Sequence, residues 1–397
     1  MPLLEICCQN NVALVAEYDR ELHAFMRIRE RVDERFAPIG ARDGSGFISK
    51  GGLTAWWKSR AIPITRDGLD KLRADLEDAD PLDLLDCSLG LSLSDQFWVR
   101  EAGSNLRWED VNFFDNGFDD KLGFVTLGSF GSAAAALVDK SSRNPNSSLG
   151  GNLKKAWEQR DGGFVLVKAG SKPFEQEPAN ELIATRLFER LFDPPDFVPY
   201  SVELRNGHPY SVCPDMVGRD ECLIPAWDII NASKRPGHLS PWLHLLGCYD
   251  ALGISNAQRQ LSKMFVCDYL IANQDRHWNN LGVIFDAKTM EAIRVAPIFD
   301  TGGSLFFKAA ELSAPIDFWY EPVPLVRARS KRIYPEDQLG LIKDYSWFDA
   351  DKLAGFDSEV HEILGMYTRH PEERIEAIVR KVCENIKVVA RRAARSS

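Results

Sequence analysis

Asn280 stands five positions after Asp275, and Asp300 twenty positions further on; the residues around these three limit how the chain can fold. Upstream, 260–271 carries apolar residues at helical spacing: Leu261, Met264, Phe265, Leu270 and Ile271. A polar run follows, Asn273-Gln274-Asp275-Arg276-His277-Trp278-Asn279-Asn280. Two apolar runs, 281–285 and 292–298, are then joined by Asp286-Ala287-Lys288-Thr289 and read as a hairpin. The second run opens directly into Ile298-Phe299-Asp300-Thr301-Gly302-Gly303. A hairpin returns the chain to where it started, so Asp300 is expected beside Asn280.

These side chains in this order suit phosphoryl transfer. A carboxylate must orient or deprotonate the attacking hydroxyl, and a neutral amide and a second carboxylate must hold Mg²⁺, which prefers oxygen ligands. Asp275 fits the first role, and Asn280 with Asp300 the second. His277 is the second catalytic candidate, either as a general base or, preferred because Asp275 already has the position of the base, as a prop of the loop through hydrogen bonds.

The preceding stretch supplies a small sheet with one helix. Two strands, 153–159 and 164–168, flank the turn Arg160-Asp161-Gly162-Gly163. A helix is predicted over 178–192, with Pro178 at an early position and Leu182, Ile183, Leu187 and Leu191 at helical spacing. Strands at 198–204 and 209–214 flank Asn206-Gly207. Lys168 ends an apolar strand, where burial is costly without an adjacent anion. Glu181, thirteen residues on, is a natural partner to hold it towards ATP phosphates. Before the first strand lies Ser147-Ser148-Leu149-Gly150-Gly151-Asn152. The backbone amides at Ser148, Gly150 and Gly151 can cover phosphates, with Lys154 or Lys155 nearby. The backbone of Pro214-Asp215-Met216-Val217 can bind an adenine edge between two lobes.

The first zone is harder to read. A strand is expected over 8–18, a helix over 53–60, and turn and loop over 110–120. Six acids and no base between 75 and 86 read as a solvated face, and Trp56, Trp57, Trp98 and Trp108 as core or interface aromatics. The strongest breaker cluster, 141–151, marks a boundary near 118–145. The domains are accordingly set at 1–118 (accessory), 119–220 (small lobe with hinge) and 221–397 (helical lobe).

Composition narrows the class. Of the 397 residues, 45% are hydrophobic and 27% charged, as in folded globular chains. A net charge of −10 argues against direct nucleic-acid binding, although the segment 381–397 is locally basic. None of the eight cysteines has C-x-x-C spacing, so they read as small buried hydrophobes in a reducing compartment. With no secretory start and no apolar run of about 18 residues, the expectation is a cytoplasmic protein without a membrane span.

The arrangement from about 141 to the C-terminus resembles the HipA-like branch of the protein-kinase-like superfamily. The spelling Asp275-Arg276-His277-Trp278-Asn279-Asn280 is also similar to the D-R-H-x-x-N loop of phosphoinositide kinases, and the stretch 296–305 resembles the family's metal-binding segment. The resemblance implies an α+β bilobal fold with an additional N-terminal region. It also implies ATP and Mg²⁺ as cofactors and a Ser/Thr protein substrate, with Asp275 as base, Asn280 and Asp300 on the metal, and Lys168 paired with Glu181. An antitoxin or regulatory protein is an implied partner. Two departures stand out: the phosphate loop is not G-x-G-x-x-G, and Thr301 replaces the Phe that follows the metal-binding Asp in ordinary kinases. Autophosphorylation of Ser147 or Ser148, a small-molecule or lipid substrate, and an ATP-binding scaffold without transfer stay open.

Overall fold

The computed structural model describes residues 1–66, 80–127, 143–309, 312 and 338–396, in a mixed helix-and-sheet architecture. The chain forms two compact units and threads between them several times. The first comprises Met1–Lys168, Pro214–Arg235 and Gly282–Arg294; the second comprises Ala169–Cys213, Pro236–Leu281 and Val295–Ser397. No described helix is long and apolar enough to cross a membrane.

The first unit opens with an antiparallel sheet in the order Ala24–Arg31, Asn11–Asp19, Leu3–Cys8, Phe97–Glu101. The single strand expected over 8–18 is thus corrected to two strands with a tight reversal at Gln9 and Asn10. Neither residue is Gly or Pro. The turn is held from outside, by Gln9 N donating to Gln96 O (3.0 Å) and Trp98 Nε1 donating to Gln9 O (2.7 Å). Helix Lys50–Arg60 starts at Ser49, whose hydroxyl caps Gly52 N, and turns Leu53, Trp56 and Trp57 inward. All four tryptophans named from the sequence are buried.

Two local expectations are corrected in this unit. Part of 110–120 is regular: a 3-10 turn at Trp108–Asp110 leads to a short helix, Phe113–Asn116, capped by Asn112. The acidic run is not wholly a solvated face. Asp75, Glu77 and Asp78 lie outside the described residues. Asp80 caps helix Pro81–Cys87, and Asp86 at its end accepts from Tyr18 (2.7 Å), Trp57 (3.1 Å) and His23 (2.9 Å). A helix rotates successive side chains by about 100°, so one acid of the run faces inward while others face water.

Cys7, Trp98, Trp108, Phe113, Leu149 and Trp157 share one core cluster. Strands Lys155–Arg160 and Gly163–Ala169 form the expected hairpin. A second sheet orders Ala292–Val295, Gly282–Asp286 and Glu221–Pro225, so the expected hairpin near 281–299 is present and gains a third strand.

In the second unit, helix Glu177–Leu191 matches the predicted one within a residue at either end. Strands Ser201–Arg205 and His208–Pro214 flank Asn206 and Gly207, both at positive φ (52° and 79°), as a two-residue hairpin turn requires. Helix Ala257–Leu270 carries Leu261, Phe265 and Leu270 inward. The terminal helix, Glu372–Ser396, buries Ile375, Ile378, Val382, Asn385 and Val389, a stripe at helical spacing. Asn385 donates to Tyr269 O (2.9 Å) and Leu270 O (3.4 Å), tying the terminal helix to the end of helix Ala257–Leu270. Five of the eight cysteines are buried: Cys7, Cys8, Cys213, Cys222 and Cys267.

Candidate active site

Helix Ala257–Leu270 ends with Ile271 as its cap, and Ala272 takes a positive φ of 48°, turning the chain out of the helix. The loop that follows is built on Asp268 and Arg276. Both are buried, and Arg276 grips the carboxylate through Nε (2.9 Å) and NH2 (3.0 Å). Asn273 Nδ2 adds a third bond to the same carboxylate at 2.7 Å. The remaining guanidinium nitrogen, NH1, donates to Asn280 O and to Phe299 O, each at 2.6 Å. One buried nitrogen therefore fixes the main chain at Asn280 against the main chain immediately before Asp300. The carbonyl oxygen of Asp275 accepts from Asn280 Nδ2 at 3.1 Å and from His277 N at 2.8 Å.

Asp275 is itself solvent-accessible. Loss of hydration around its carboxyl raises its pKa; His277, Lys308 and Arg276 pull it down, and the neighbouring charge of Asp300 pushes it up. Asp300 holds a positive φ of 56°, and its amide donates to the Tyr200 hydroxyl at 3.3 Å. The glycine turn after it is held from several sides. Glu181 accepts from Thr301 N (2.9 Å) and from the Thr301 hydroxyl (2.6 Å). Asn180 donates to Gly302 O (2.8 Å) and Ser304 O (2.7 Å). Gly303 lies so close to the loop that a Cβ there would stand 2.5 Å from the Asp275 Cβ. Thr301 uses its hydroxyl to tie the turn to Glu181. His277 is exposed, and its Nδ1 accepts from Asn279 N at 3.3 Å.

The first unit carries the other predicted residues. Lys168 is buried on strand Gly163–Ala169 and stands directly opposite Lys155 in the antiparallel register. Paired residues share a face of the sheet, so both lysines leave the hairpin on the same side. Before these strands, Asn146 bonds both the amide and the carbonyl of Trp157, anchoring the loop to the hairpin. The hydroxyls of Ser147 and Ser148 are committed to main-chain carbonyls, Asn144 O (2.7 Å) and Leu91 O (2.7 Å). Gly150 and Gly151 are exposed, and Gly151 has φ +93°, with the Lys155 ammonium 2.5 Å from where a Cβ would sit. Asp215 N donates to Phe164 O at 2.9 Å. Its Oδ1 accepts from Val217 N at 3.0 Å, while the buried Oδ2 has no partner among the described residues. Burial pushes the Asp215 carboxyl up to about 7. Met216 is half-buried beside it.

The predicted residues thus fall into two sets. Asp275, His277, Asn280, Asp300 and Glu181 are brought together on the second unit. Ser148, Gly150, Gly151, Lys155 and Lys168 lie on the first, as do Asp215 and Met216. Sequence reasoning passed over Asp268 and Arg276 as functional supports. The available signal was an acid inside the apolar stretch Cys267-Asp268-Tyr269-Leu270, which needs a buried cation.

The donor set suits magnesium. Asn280 spends its Nδ2 on Asp275 O, which directs the amide and leaves its oxygen as the ligand atom. Asp275 and Asp300 repel one another, a strain that a divalent cation relieves. Among the described residues no three His, Cys, Asp or Glu side chains gather as a metal cluster. An amide with one or two carboxylates, completed by phosphate oxygens and water, is the ordinary coordination of Mg²⁺.

No protein-family model and no curated protein matches the sequence. Among solved structures, HipA of Shewanella oneidensis MR-1, in a toxin–antitoxin complex with HipB and operator DNA, is similar with a TM-score of 0.50. The likeness covers 99% of this chain and 91% of that one at 12% identity. The fold is HipA-like. The Helicobacter pylori proinflammatory kinase CtkA is also similar, with a TM-score of 0.46 and 20% identity over 61% of this chain and 94% of that one. Within its HipA-like fold, the chain places Asp275, Asn280 and Asp300 together on the second unit.

Proposed function

We propose that the chain is an ATP- and Mg²⁺-dependent kinase that transfers the γ-phosphoryl group to a Ser or Thr hydroxyl of a protein. The observation that carries this reading is the Asp268–Arg276 strut, which binds Asn280 O and Phe299 O with one nitrogen and so gathers Asp275, Asn280 and Asp300. A strut of two buried charges is an expensive way to shape a surface loop; it suits a site where an amide and two carboxylates must keep fixed positions.

In this reading, Asp275 orients the acceptor hydroxyl and takes its proton, and its accessibility admits a hydroxyl carried on a macromolecule. Asn280 and Asp300 hold Mg²⁺, which neutralises charge on the phosphates. Lys155, Lys168 and the loop at Gly150 and Gly151 bind the phosphates, and the backbone at Asp215 and Met216 meets the adenine. Glu181 positions the metal-binding turn through Thr301. A partner protein, by analogy with HipB in the Shewanella complex, completes the proposal.

Incubation with γ-labelled ATP, Mg²⁺ and a cell lysate tests it. Label transferred to protein by the wild type and lost in Asp275→Ala is the expected result. Nucleotide binding without transfer to any acceptor would replace the kinase by a scaffold.

A further inference from the structure

The accessory region reaches the loop before the first hairpin strand with one unusual side chain. Arg66 is 4% exposed. Its Nε donates to Gly151 O at 3.1 Å, and its NH2 donates to Leu149 O. The adjacent Thr65 hydroxyl bonds Asn152 Oδ1 at 2.8 Å. The third guanidinium nitrogen, NH1, is buried and has no hydrogen-bond partner among the described residues.

A guanidinium out of water normally has a carboxylate beside it, because burying a charge without a counter-ion is costly. Two neutral carbonyls hold Arg66. Burial alone lowers its pKa, to about 10, so it stays a cation at neutral pH. A clamp that merely shaped the loop would be complete with those two bonds and could leave NH1 in solvent. Burying NH1 beside the loop makes sense if an anion comes to it. The surroundings agree. The two loop serines donate elsewhere, Gly150 is open, and the Lys155 ammonium lies against Gly151. Planar, multi-donor guanidinium with a nearby ammonium is the chemistry that binds a phosphate group.

We propose that Arg66 is a phosphate-binding residue, supplied by the N-terminal region, that presents NH1 to a phosphate of the bound nucleotide while its other nitrogens set the loop at Leu149 and Gly151. The assignment of that phosphate to a nucleotide rests on the kinase reading above.

Inorganic tripolyphosphate, which carries the phosphates without the base, is the probe, titrated calorimetrically into the full chain. Arg66→Met is expected to weaken tripolyphosphate at least tenfold, and Arg66→Lys, which keeps the charge and loses the planar fork, by less. Thr65→Val, which releases another bond to the same loop, should change affinity by no more than about twofold. ATP should follow tripolyphosphate across the series, while adenosine binds all variants alike. Thermal melts of each variant identify any that fail to fold, and Arg66→Lys keeps the comparison usable if Arg66→Met does not. Equal tripolyphosphate affinity in wild type and Arg66→Lys or Arg66→Met, equal losses in Thr65→Val and the arginine variants, or no binding to wild type would overturn the assignment. Arg66-dependent binding without phosphoryl transfer from ATP would instead defeat the kinase reading and leave Arg66 in place.

Discussion

Arg276 and Asp268 form a bidentate ion pair eight residues apart in sequence, with 2% side-chain exposure on each partner. The pair joins the end of a helix to the loop that follows, and the arginine's last nitrogen reaches the strand end before Asp300. Removing one partner strands a buried charge, a loss of about 3–5 kcal/mol. Asp268→Asn and Arg276→Met should each lower unfolding free energy in urea by about that much. The double variant Asp268→Leu with Arg276→Met should be less destabilised than the sum of the singles, since no unpaired charge remains. Additive losses would show that the two side chains act independently.

Asp275 and Asp300 sit near each other but are assigned different work, and kinetics should separate them. Asp300→Asn should weaken Mg²⁺-dependent ATP binding tenfold or more. Asp275→Asn should leave ATP binding within about threefold of wild type and cut turnover by roughly 10²–10⁴, the range for general acid–base groups. Binding is read by thermal shift with and without Mg²⁺, and turnover by label transfer. Equal loss of binding in both variants would mean that both carboxylates hold the metal.

Much of this site was legible in the chain because its signals are local. The apolar spacing of 260–271, the two apolar runs after Asn280, and Asn206-Gly207 each report a backbone choice made within a few residues. What escaped depends on distant partners. The turn at Gln9 and Asn10 has neither Gly nor Pro and is held by Gln96 and Trp98. Glu181 was read as the partner of Lys168, but its carboxylate also holds Thr301, 120 positions away. Periodicity located Asp268 on its helix without revealing the cation that makes its burial tolerable. The same limit hid Arg66, whose contacts at Leu149 and Gly151 lie more than 80 residues on.

Gly303 offers a test of the close approach between the glycine turn after Asp300 and the loop at Asp275. Its φ is not positive, so alanine is compatible with the backbone, and the conflict is purely steric. The new methyl would meet the Asp275 Cβ at 2.5 Å, and either the loop or the turn must move. Gly303→Ala should therefore reduce transfer at least tenfold while lowering unfolding free energy by about 1–3 kcal/mol, the usual range for overpacking. Gly150→Ala, where nothing lies within 4 Å of the added methyl, is the steric control and should cost little stability. If Gly303→Ala transferred phosphate like wild type, the packing of the turn on Asp275 would not matter for the chemistry.

Asp215 gives the fold a pH dependence of predictable sign. Its carboxyl is raised from 3.8 to about 7 by burial, so the folded chain holds a proton there that the unfolded chain releases. A raised folded value means that the contribution to stability is fully present below pH 4 and declines as pH rises. It is gone once pH has passed about 7. Asparagine cannot ionise, so Asp215→Asn should gain stability relative to wild type across that window, by on the order of 4 kcal/mol at most. Urea unfolding of both proteins at pH 4, 5.5, 7 and 8 measures the difference, and other titrating groups cancel between them. The gap should widen up to about pH 7 and then level off. A gap independent of pH would show that Asp215 is ionised in the folded chain throughout, its orphaned Oδ2 satisfied by water.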